Sequence, residues 1–288
     1  MSGRRALRAW YEPRRMAYPW RWADPYGVLV SEVMLQQTQA ARLAGAYGAF
    51  MRRFPTVRAL ARAPRADVLR AWGSLGYNRR AVALSEAARA IVRDHRGRVP
   101  GRLAELRRLP GVGPYTAAAV ASVGYGAAVP ALDTNVRRVV ARHRLGTEPS
   151  PGMGAEVERA AEAWLDRADP GAWNQALMDL GREVCRPAPR CGQCPMARGC
   201  RFRRSGVQPG PRSPTQPPFP GSFRQVRGAV VRDLRGRPSA SLASLAAAAG
   251  VPLERVAAAV AALHADGVVD AGPAALAGRS SGRVRLAR

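Results

Sequence analysis

The octapeptide Leu109-Pro110-Gly111-Val112-Gly113-Pro114-Tyr115-Thr116 decides the fold, because it lies between two segments with the apolar spacing of helices. Two glycines separated by one residue allow a sharp turn and bring backbone N–H groups close to a bound phosphate. The next helix is predicted to begin near Pro114, which places the positive end of its dipole at the same turn. The segment therefore predicts a helix-hairpin-helix, with an ordinary helix–helix turn as the alternative. The residues expected to hold a DNA backbone are Gly111, Val112, Gly113 and Tyr115.

The composition indicates a polyanionic partner. The chain has 288 residues and a formal net charge of +26, and all 46 of its basic side chains are arginine. Guanidinium groups donate paired hydrogen bonds to phosphate oxygens, which suits a DNA surface; a basic surface that only meets solvent is the alternative. Because the sequence contains no lysine, no lysine side chain can form a Schiff base here.

The apolar pattern predicts a mainly α protein. Up to Cys200 the apolar residues recur at helical spacing. The predicted helices are Tyr26 to about Gln39 and residues 41–53, 65–72, 79–94, 102–108, 115–124, 134–143, 154–167 and 172–183. No run of about 18 apolar residues occurs, and the N-terminus lacks the apolar run of a secretory signal. A cytoplasmic protein that crosses no membrane is therefore expected.

The C-terminal third has a different composition. Residues 205–222 are rich in proline and glycine and are interpreted as an extended linker. Beyond the linker, three short helices (223–234, 240–249 and 253–266) and two strands (268–269 and 283–286) are predicted. They indicate a small winged-helix-like domain over 223–288, which serves either as a further DNA contact or as a docking appendage.

The four cysteines indicate a metal site. They fall within sixteen residues, whereas the cysteines of a disulfide framework are spread along a chain. Four thiolates this close can enclose a [4Fe–4S] cluster or a tetrahedral zinc ion. Zinc sites usually use two Cys-x2-Cys pairs and this chain has one, so the cluster is favoured and zinc is the alternative. The ligands are predicted to be Cys185, Cys191, Cys194 and Cys200.

Two carboxylates have the surroundings of an acid–base pair. Glu32 is followed by three apolar residues on a predicted helix, and an apolar environment raises the pKa of a carboxyl so that it can donate a proton near neutral pH. Asp133 precedes a helix start, where backbone N–H groups hold a carboxylate ionised. Such a pair could cleave a glycosidic bond. The alternatives are a solvated glutamate and a plain capping aspartate.

Several long motifs identify a family resemblance. LPGVGPYTA at 109–117 and ALDTNVRRV at 131–139 resemble the helix-hairpin-helix glycosylase superfamily. The segment PWRWADPYGVLVSEVMLQQTQ at 19–39 resembles the adenine DNA glycosylase (MutY) family. FPTV at 54–57, LGY at 75–77 and NQALMDLG at 174–181 carry the same resemblance, which covers about residues 10–203.

The resemblance implies a helix-hairpin-helix glycosylase domain over 1–204, with its active site between two helical subdomains. A six-helix subdomain would cover about 25–130, and a cluster subdomain would combine 1–24 with 131–204. The implied activity is that of a monofunctional enzyme of base excision repair. Acting as a monomer on double-stranded DNA near the nucleoid, it would remove adenine mispaired with 8-oxoguanine or guanine.

The resemblance also implies residue roles. Glu32 would protonate adenine at N7, and Asp133, supported by Asn135, would stabilise the sugar cation or add to it. Tyr115 stands where related bifunctional enzymes carry their Schiff-base lysine, which implies no efficient strand cleavage. Substrate contacts are assigned to Arg21, Gln175, the wedge residue Gln37, and Asn78.

Two positions depart from the family pattern. Asn78 stands where the family usually has a second tyrosine that intercalates beside the lesion, and asparagine stacks less well. The first cysteine gap is one residue shorter than the family's. Two other functions remain as alternatives: a thymine or uracil glycosylase for G·T or G·U mismatches, and a non-catalytic DNA-binding protein.

Overall fold

The computed structural model describes residues 3–210 and 217–288, and it confirms the predicted mainly α-helical class. Residues 211–216 of the predicted linker lie outside the described residues. The helices are α1 (Gly3–Tyr11), α2 (Pro25–Leu35), α3 (Ala40–Arg53), α4 (Val57–Arg62), α5 (Arg65–Trp72), α6 (Arg79–Asp94), α7 (Leu103–Leu106), α8 (Pro114–Tyr125), α9 (Thr134–Val140), α10 (Gly154–Trp164), α11 (Pro170–Glu183), α12 (Arg201–Ser205), α13 (Phe223–Arg235), α14 (Leu242–Ala249), α15 (Leu253–Ala265) and α16 (Pro273–Leu276).

Three short strands form one antiparallel sheet in the order β1-β3-β2. They are β1 (Ala240–Ser241), β2 (Val269–Ala271) and β3 (Arg283–Leu286). In the described part of the chain, no single helix is long and apolar enough to cross a membrane. Helices α14 and α15 reach that length and composition only together, as a pair bent by 110°.

Helix α2 ends earlier than the sequence predicts. It stops at Leu35 rather than near Gln39, so the predicted end was wrong. The residue Gln37 adopts a left-handed φ of 55°, which an α-helix does not accommodate. The Arg80 guanidinium donates to the carbonyl oxygens of Met34 and Gln36, and this tertiary contact satisfies groups that a longer helix would have used.

The chain divides into two compact units. One comprises the described residues of Met1–Val33 and Val99–Ser213, and the other those of Met34–Arg98 and Pro214–Arg288. The units are distinguished by how compactly their residues pack, which does not test the domain boundaries predicted at 204 and 222. Those boundaries stay a prediction.

The first unit is built around α11. Its core joins α1, α9, α10 and α11, with Trp164 packed edge-on against Trp173 at a centroid distance of 5.2 Å. Buried Asn174 fixes the segment between α8 and α9, since its amide donates to Val129 O (2.9 Å) and accepts from Ala131 N (3.0 Å). The helix that carries Gln175, Met178 and Asp179 is thereby held against both neighbouring helices.

The second unit combines the helices α3–α6 with the C-terminal helices and sheet. Its first part packs Phe50 edge-on against Trp72, with ring centroids 6.1 Å apart. In its second part α13, α14 and α15 pack together, and α13 and α15 each contact the sheet. The two parts are joined directly, because Arg65 donates to Gly267 O at 3.4 Å and Arg235 donates to Leu69 O at 3.2 Å.

The close approach of α11 to α9 requires glycine at position 181. A Cβ placed there would lie 2.7 Å from Asn135 Cβ and 3.0 Å from Asn135 O. We therefore expect Gly181→Ala to lower the free energy of unfolding by about 1–3 kcal/mol, because the two helices must separate. Urea unfolding measures the change. Gly152→Ala is the control, since its Cβ would meet no atom within 4 Å; equal losses in both variants would contradict the packing argument.

Candidate active site

Glu32 is a carboxyl withdrawn from water. It lies in α2 and is 8 % exposed, and among the described residues its Oε2 atom has no hydrogen-bond partner. Burial, with a smaller contribution from the negative charge of Asp133, raises the pKa of Glu32 to about 7. A hydrogen bond from Tyr115 opposes the rise. The group can therefore hold a proton at neutral pH and release it to a partner.

Tyr115 connects Glu32 to α11. Its hydroxyl donates to the Glu32 carboxyl and lies 3.5 Å from Met178 Sδ. Burial holds the pKa of Tyr115 well above its usual value, and the charges of Glu32 and Asp133 act in the same direction. The phenol consequently stays neutral and orients the carboxyl as a hydrogen-bond donor.

Asp133 is the N-cap of α9, as predicted from its position before a helix start. Its Oδ1 accepts from Val136 N at 2.6 Å, and its Oδ2 accepts from Asn135 Nδ2 at 3.1 Å. Burial raises the pKa of Asp133 above its usual value, while these hydrogen bonds and the positive charge of Arg138 lower it. The structure thus brings Glu32, Tyr115, Asp133 and Asn135 into one electrostatic group, as expected from the sequence.

Arg138 supports this group, and the sequence analysis did not single it out. Its guanidinium donates to Asn135 Oδ1 (2.8 Å), Gly181 O (2.7 Å) and Cys185 O (2.8 Å). The signal that could have found it is the i, i+3 spacing of Asn135 and Arg138 on one predicted helix. Through Arg138 the side chain that orients Asp133 is tied to the backbone where the cysteine segment begins.

The hairpin has the predicted conformation. Gly111 is left-handed, with a φ of 74°, and Val112 is buried and donates its N–H to Leu109 O. Gly111 and Gly113 are exposed, and α8 begins at Pro114 with Gly113 as its N-cap. Glycine supplies no capping side chain, and an exposed turn at a helix N-terminus is a favourable position for an anion.

The two predicted base contacts of the first unit are held by other side chains. Arg21 is almost completely buried and forms an ion pair with Asp179 at 2.5 Å. Gln175 Oε1 accepts from the Tyr11 hydroxyl at 2.5 Å. Within the described residues, no hydrogen bond or ion pair joins Arg21 or Gln175 to the Glu32 group, so these residues form a neighbouring polar network on α11.

The two predicted substrate residues of the second unit differ from each other in exposure. Gln37 is exposed and left-handed, with a φ of 55°. Asn78 is only 9 % exposed, and its Oδ1 accepts from Arg235 at 3.2 Å. Its neighbour Tyr77 is 44 % exposed with a φ of 46°. The aromatic that this loop presents is thus Tyr77, which has no assigned role in the sequence analysis although aromatic side chains commonly stack on bases.

The four cysteines lie near one another as free, half-buried thiols. Burial raises the pKa of Cys194 to about 11, with smaller effects from the charges of the other three, so all four interact electrostatically. Buried Arg142 donates to Cys185 Sγ (3.7 Å), Arg186 O (2.5 Å) and Pro187 O (2.9 Å). Across the described residues, no three histidine, cysteine or acidic side chains gather closely enough to hold one metal ion.

Comparison with known sequences identifies the family. Residues 30–166 match the model described as the HhH-GPD superfamily base excision DNA repair protein. The adenine DNA glycosylase of Mycobacterium tuberculosis is 44% identical over 235 residues, covering 80% of this chain and 77% of that protein. The human adenine DNA glycosylase is 40% identical over 214 residues, covering 70% of this chain and 39% of the human protein.

Solved structures agree on the fold. A thermostable thymine-DNA glycosylase matches with a TM-score of 0.64 and 29% identity, covering 69% of this chain and 94% of that one. A trapped endonuclease III–DNA covalent intermediate matches with a TM-score of 0.58 and 23% identity, covering 70% and 95%. The predicted helix-hairpin-helix glycosylase class is confirmed, and the chain belongs to the adenine DNA glycosylase family.

Proposed function

We propose that this chain is a monofunctional DNA glycosylase of base excision repair that hydrolyses the N-glycosidic bond of adenine mispaired with 8-oxoguanine or guanine. The observation that carries the proposal is the buried Glu32 carboxyl, with a pKa of about 7, in contact with Tyr115 and within the field of Asp133. The identity of 44% with an adenine DNA glycosylase supports adenine as the released base.

The proposed reaction begins with an adenine nucleotide turned out of the duplex. Neutral Glu32 transfers its proton to N7, and the electron pair of the C1′–N9 bond passes to the purine. The Asp133 carboxylate stabilises the positive charge that develops at C1′, or adds to that carbon. Water then adds to C1′ and loses its proton to a carboxylate, so the products are adenine and an abasic site.

Tyr115 explains why the proposed enzyme is monofunctional. Strand cleavage through a Schiff base requires an amine, whereas this position carries a phenol and the sequence contains no lysine. The Tyr115 hydroxyl instead donates to Glu32 and holds the acid in place. Asn135 has the equivalent positioning role for Asp133.

We propose double-stranded DNA as the partner of a cytoplasmic, nucleoid-associated monomer. The hairpin residues Gly111, Val112, Gly113 and Tyr115 would hold the backbone, with arginines meeting further phosphates. Arg21 and Gln175 would contact the extruded base and Gln37 would act as the wedge. We assign stacking to Tyr77 rather than to Asn78, since Tyr77 is the more exposed of the two and aromatic.

The cysteine donor set fits a [4Fe–4S] cluster. Four free thiols lie together in one segment. Burial raises the pKa of Cys185, and the hydrogen bond and positive charge of Arg142, with the charge of Arg138, act in the opposite direction and favour the thiolate form of a metal ligand. Cys185, Cys191, Cys194 and Cys200 would hold the cluster, which would supply a structural cross-link to the arginine-rich segment 186–204. Zinc is the alternative occupant.

A second function is favoured by one observation. The thermostable thymine-DNA glycosylase shares 29% identity and a TM-score of 0.64 with this chain. A DNA-binding hairpin and a carboxylate beside the sugar would also serve the excision of thymine or uracil opposite guanine. The experiment below therefore compares the release of adenine, thymine and uracil. A non-catalytic DNA-binding protein would release no base from any duplex.

The proposed acid is tested with Glu32→Gln on duplexes that contain A·8-oxoguanine, A·G, T·G or U·G. We expect the wild-type chain to release adenine at least about tenfold faster than thymine or uracil in single-turnover assays. Glu32→Gln should lower the adenine rate by about 10²- to 10⁴-fold, because glutamine has no proton to donate, while duplex affinity is retained.

The matched control is Glu158→Gln, since that side chain is 59% exposed and pairs only with Arg137 among the described residues. It should excise adenine at the wild-type rate. Asp133→Asn should also be severely slowed. Equal turnover by Glu32→Gln would exclude the acid assignment, and faster release of thymine or uracil would replace the substrate.

The pH dependence follows from the raised pKa of Glu32. Proton donation needs the neutral carboxyl, so the single-turnover rate should fall as pH rises through about 7. The raised pKa of Glu32 also makes the free energy of unfolding depend on pH. The stabilisation by neutral Glu32 is fully present below pH 4.5 and is lost as pH rises through about 7. The contribution is about 3 kcal/mol in total.

Urea unfolding between pH 4.5 and 8 compares the wild-type chain with Glu32→Gln, which lacks the titrating group. The difference between their unfolding free energies should change across that window, in favour of the wild type at low pH. A difference that stays constant would contradict the burial of an ionisable carboxyl at this position.

The cluster proposal predicts the colour and metal content of the protein. The purified chain should be brown, with visible absorbance and about four iron atoms per chain. Cys191→Ala should lose both signals, whereas Ser205→Ala, outside the donor set, should keep them. A colourless chain that contains one zinc ion would replace the cluster with zinc.

A further inference from the structure

The loop Gly73–Asn78 is under backbone strain. Gly73 and Gly76 have φ values of 58° and 72°, and Tyr77 reaches 46° without being glycine. A non-glycine residue in the left-handed region persists only where its surroundings enforce it. The ring of Tyr77 is 44 % exposed on one side of this loop, and the Arg80 guanidinium lies 5.5 Å from its centroid. The loop therefore presents an aromatic surface in a fixed, costly conformation.

One arginine of the C-terminal segment joins the two ends of this loop. Arg235 ends α13, and its Nε donates to Leu69 O at 3.2 Å while its NH2 group donates to Asn78 Oδ1 at 3.2 Å. Leu69 O lies in the last turn of α5, where the capping N–H of Gly73 bonds Arg70 O instead. Asn78 is the N-cap residue of α6, but its side chain makes no capping bond. Arg235 thus satisfies one group at each end of the loop.

Further contacts hold the C-terminal segment on the same surface. Arg65, at the start of α5, donates to Gly267 O at 3.4 Å. Asp266 lies 4.0 Å from Arg79, at the start of α6, and 2.5 Å from Arg227 of α13. The segment therefore docks on both helices that flank the Tyr77 loop.

The helix α15 offers little to DNA. Its exposed positions include Glu254, Ala258, Ala261 and His264, and no arginine is among the exposed residues of this helix. Its one arginine, Arg255, is half-buried and donates to Gly221 O. A helix that reads DNA needs donors that reach phosphates or base edges. The exposed side chains of α15 therefore favour docking over DNA contact for this helix.

We propose that Arg235 is a positioning residue for DNA engagement, through which the segment 223–288 fixes the conformation of the Tyr77 loop. The proposal rests on the glycosylase function proposed above. It also gives a reason for asparagine at position 78. The short Asn78 amide accepts a hydrogen bond from the Arg235 guanidinium, and a tyrosine ring at this position would displace that bond. The nucleic-acid surface and the C-terminal segment are thereby coupled through one side chain.

The experiment uses the full chain with four variants. Arg235→Ala and Asn78→Ala each remove one partner of the clamp, and Asn78→Asp retains an acceptor. Arg232→Ala is the matched control, since Arg232 is exposed on the same helix and has no hydrogen bond or ion pair to a described residue. Should Arg235→Ala fold poorly, Asn78→Ala tests the same bond without altering the C-terminal segment.

The first readout is hydrogen–deuterium exchange of residues 73–80 without DNA. Loss of a hydrogen bond to a charged group should raise exchange there by about tenfold in Arg235→Ala and Asn78→Ala. Asn78→Asp and Arg232→Ala should match the wild type. This readout needs no enzymatic activity, so it separates the positioning proposal from the glycosylase proposal. Unchanged exchange in both clamp variants would overturn the positioning proposal.

The second readout is the rate at which a 2-aminopurine beside the mispair becomes fluorescent on mixing, which follows extrusion of the nucleotide. The clamp variants should slow this step by about tenfold, while affinity for an undamaged duplex stays at the wild-type value. If the clamp variants exchange faster in the loop but extrude the nucleotide at the wild-type rate, the contact is only structural and the proposal is overturned. A wild-type chain that extrudes the nucleotide but releases no base would instead overturn the glycosylase function alone.

Discussion

The burial of one carboxyl group, that of Glu32, is the constraint on which the rest of the first unit depends. A carboxyl with an unpartnered oxygen is unfavourable in an apolar interior, and it is tolerated because the group stays protonated near neutral pH. Keeping water away from it requires α2, α8, α9 and α11 to approach closely. Gly181 and the amide of Asn174 allow and fix that approach. This helix packing therefore determines whether Glu32 can hold its proton near neutral pH.

The two carboxyls face opposite requirements, and their surroundings differ accordingly. Glu32 receives one hydrogen bond, from Tyr115, and is otherwise governed by burial. Asp133 is half-buried, which raises its pKa, but backbone N–H groups, an asparagine amide and the charge of Arg138 all favour its ionised form. The difference in hydrogen bonding places a carboxyl that holds its proton near one that favours ionisation, which is the arrangement that the proposed acid and charge stabiliser require at a single pH.

Local patterns predicted much of this architecture. The helices at 65–72 and 79–94 have the predicted bounds, and Asp133 caps its helix as expected, because periodicity and capping are encoded in neighbouring residues. The early end of α2, the anchoring of Arg138 on Gly181 and Cys185, and the role of Arg235 were not predictable in the same way. Each depends on a guanidinium that meets backbone carbonyls or an amide more than forty residues away, and no local spacing records such a partner. The two-residue strand β1 was missed because it exists only through pairing with β3.

Arg138 has a consequence for the order in which the molecule matures. Its guanidinium orients Asn135 while it is anchored on the carbonyls of Gly181 and Cys185, at the point where the cysteine segment leaves α11. During synthesis Arg138 emerges before that anchor exists, so the amide beside Asp133 lacks its final support until the downstream chain has closed. The hydrogen-bonded surroundings of Asp133 are therefore completed late, only when the residues that follow α9 by more than forty positions have folded back onto it.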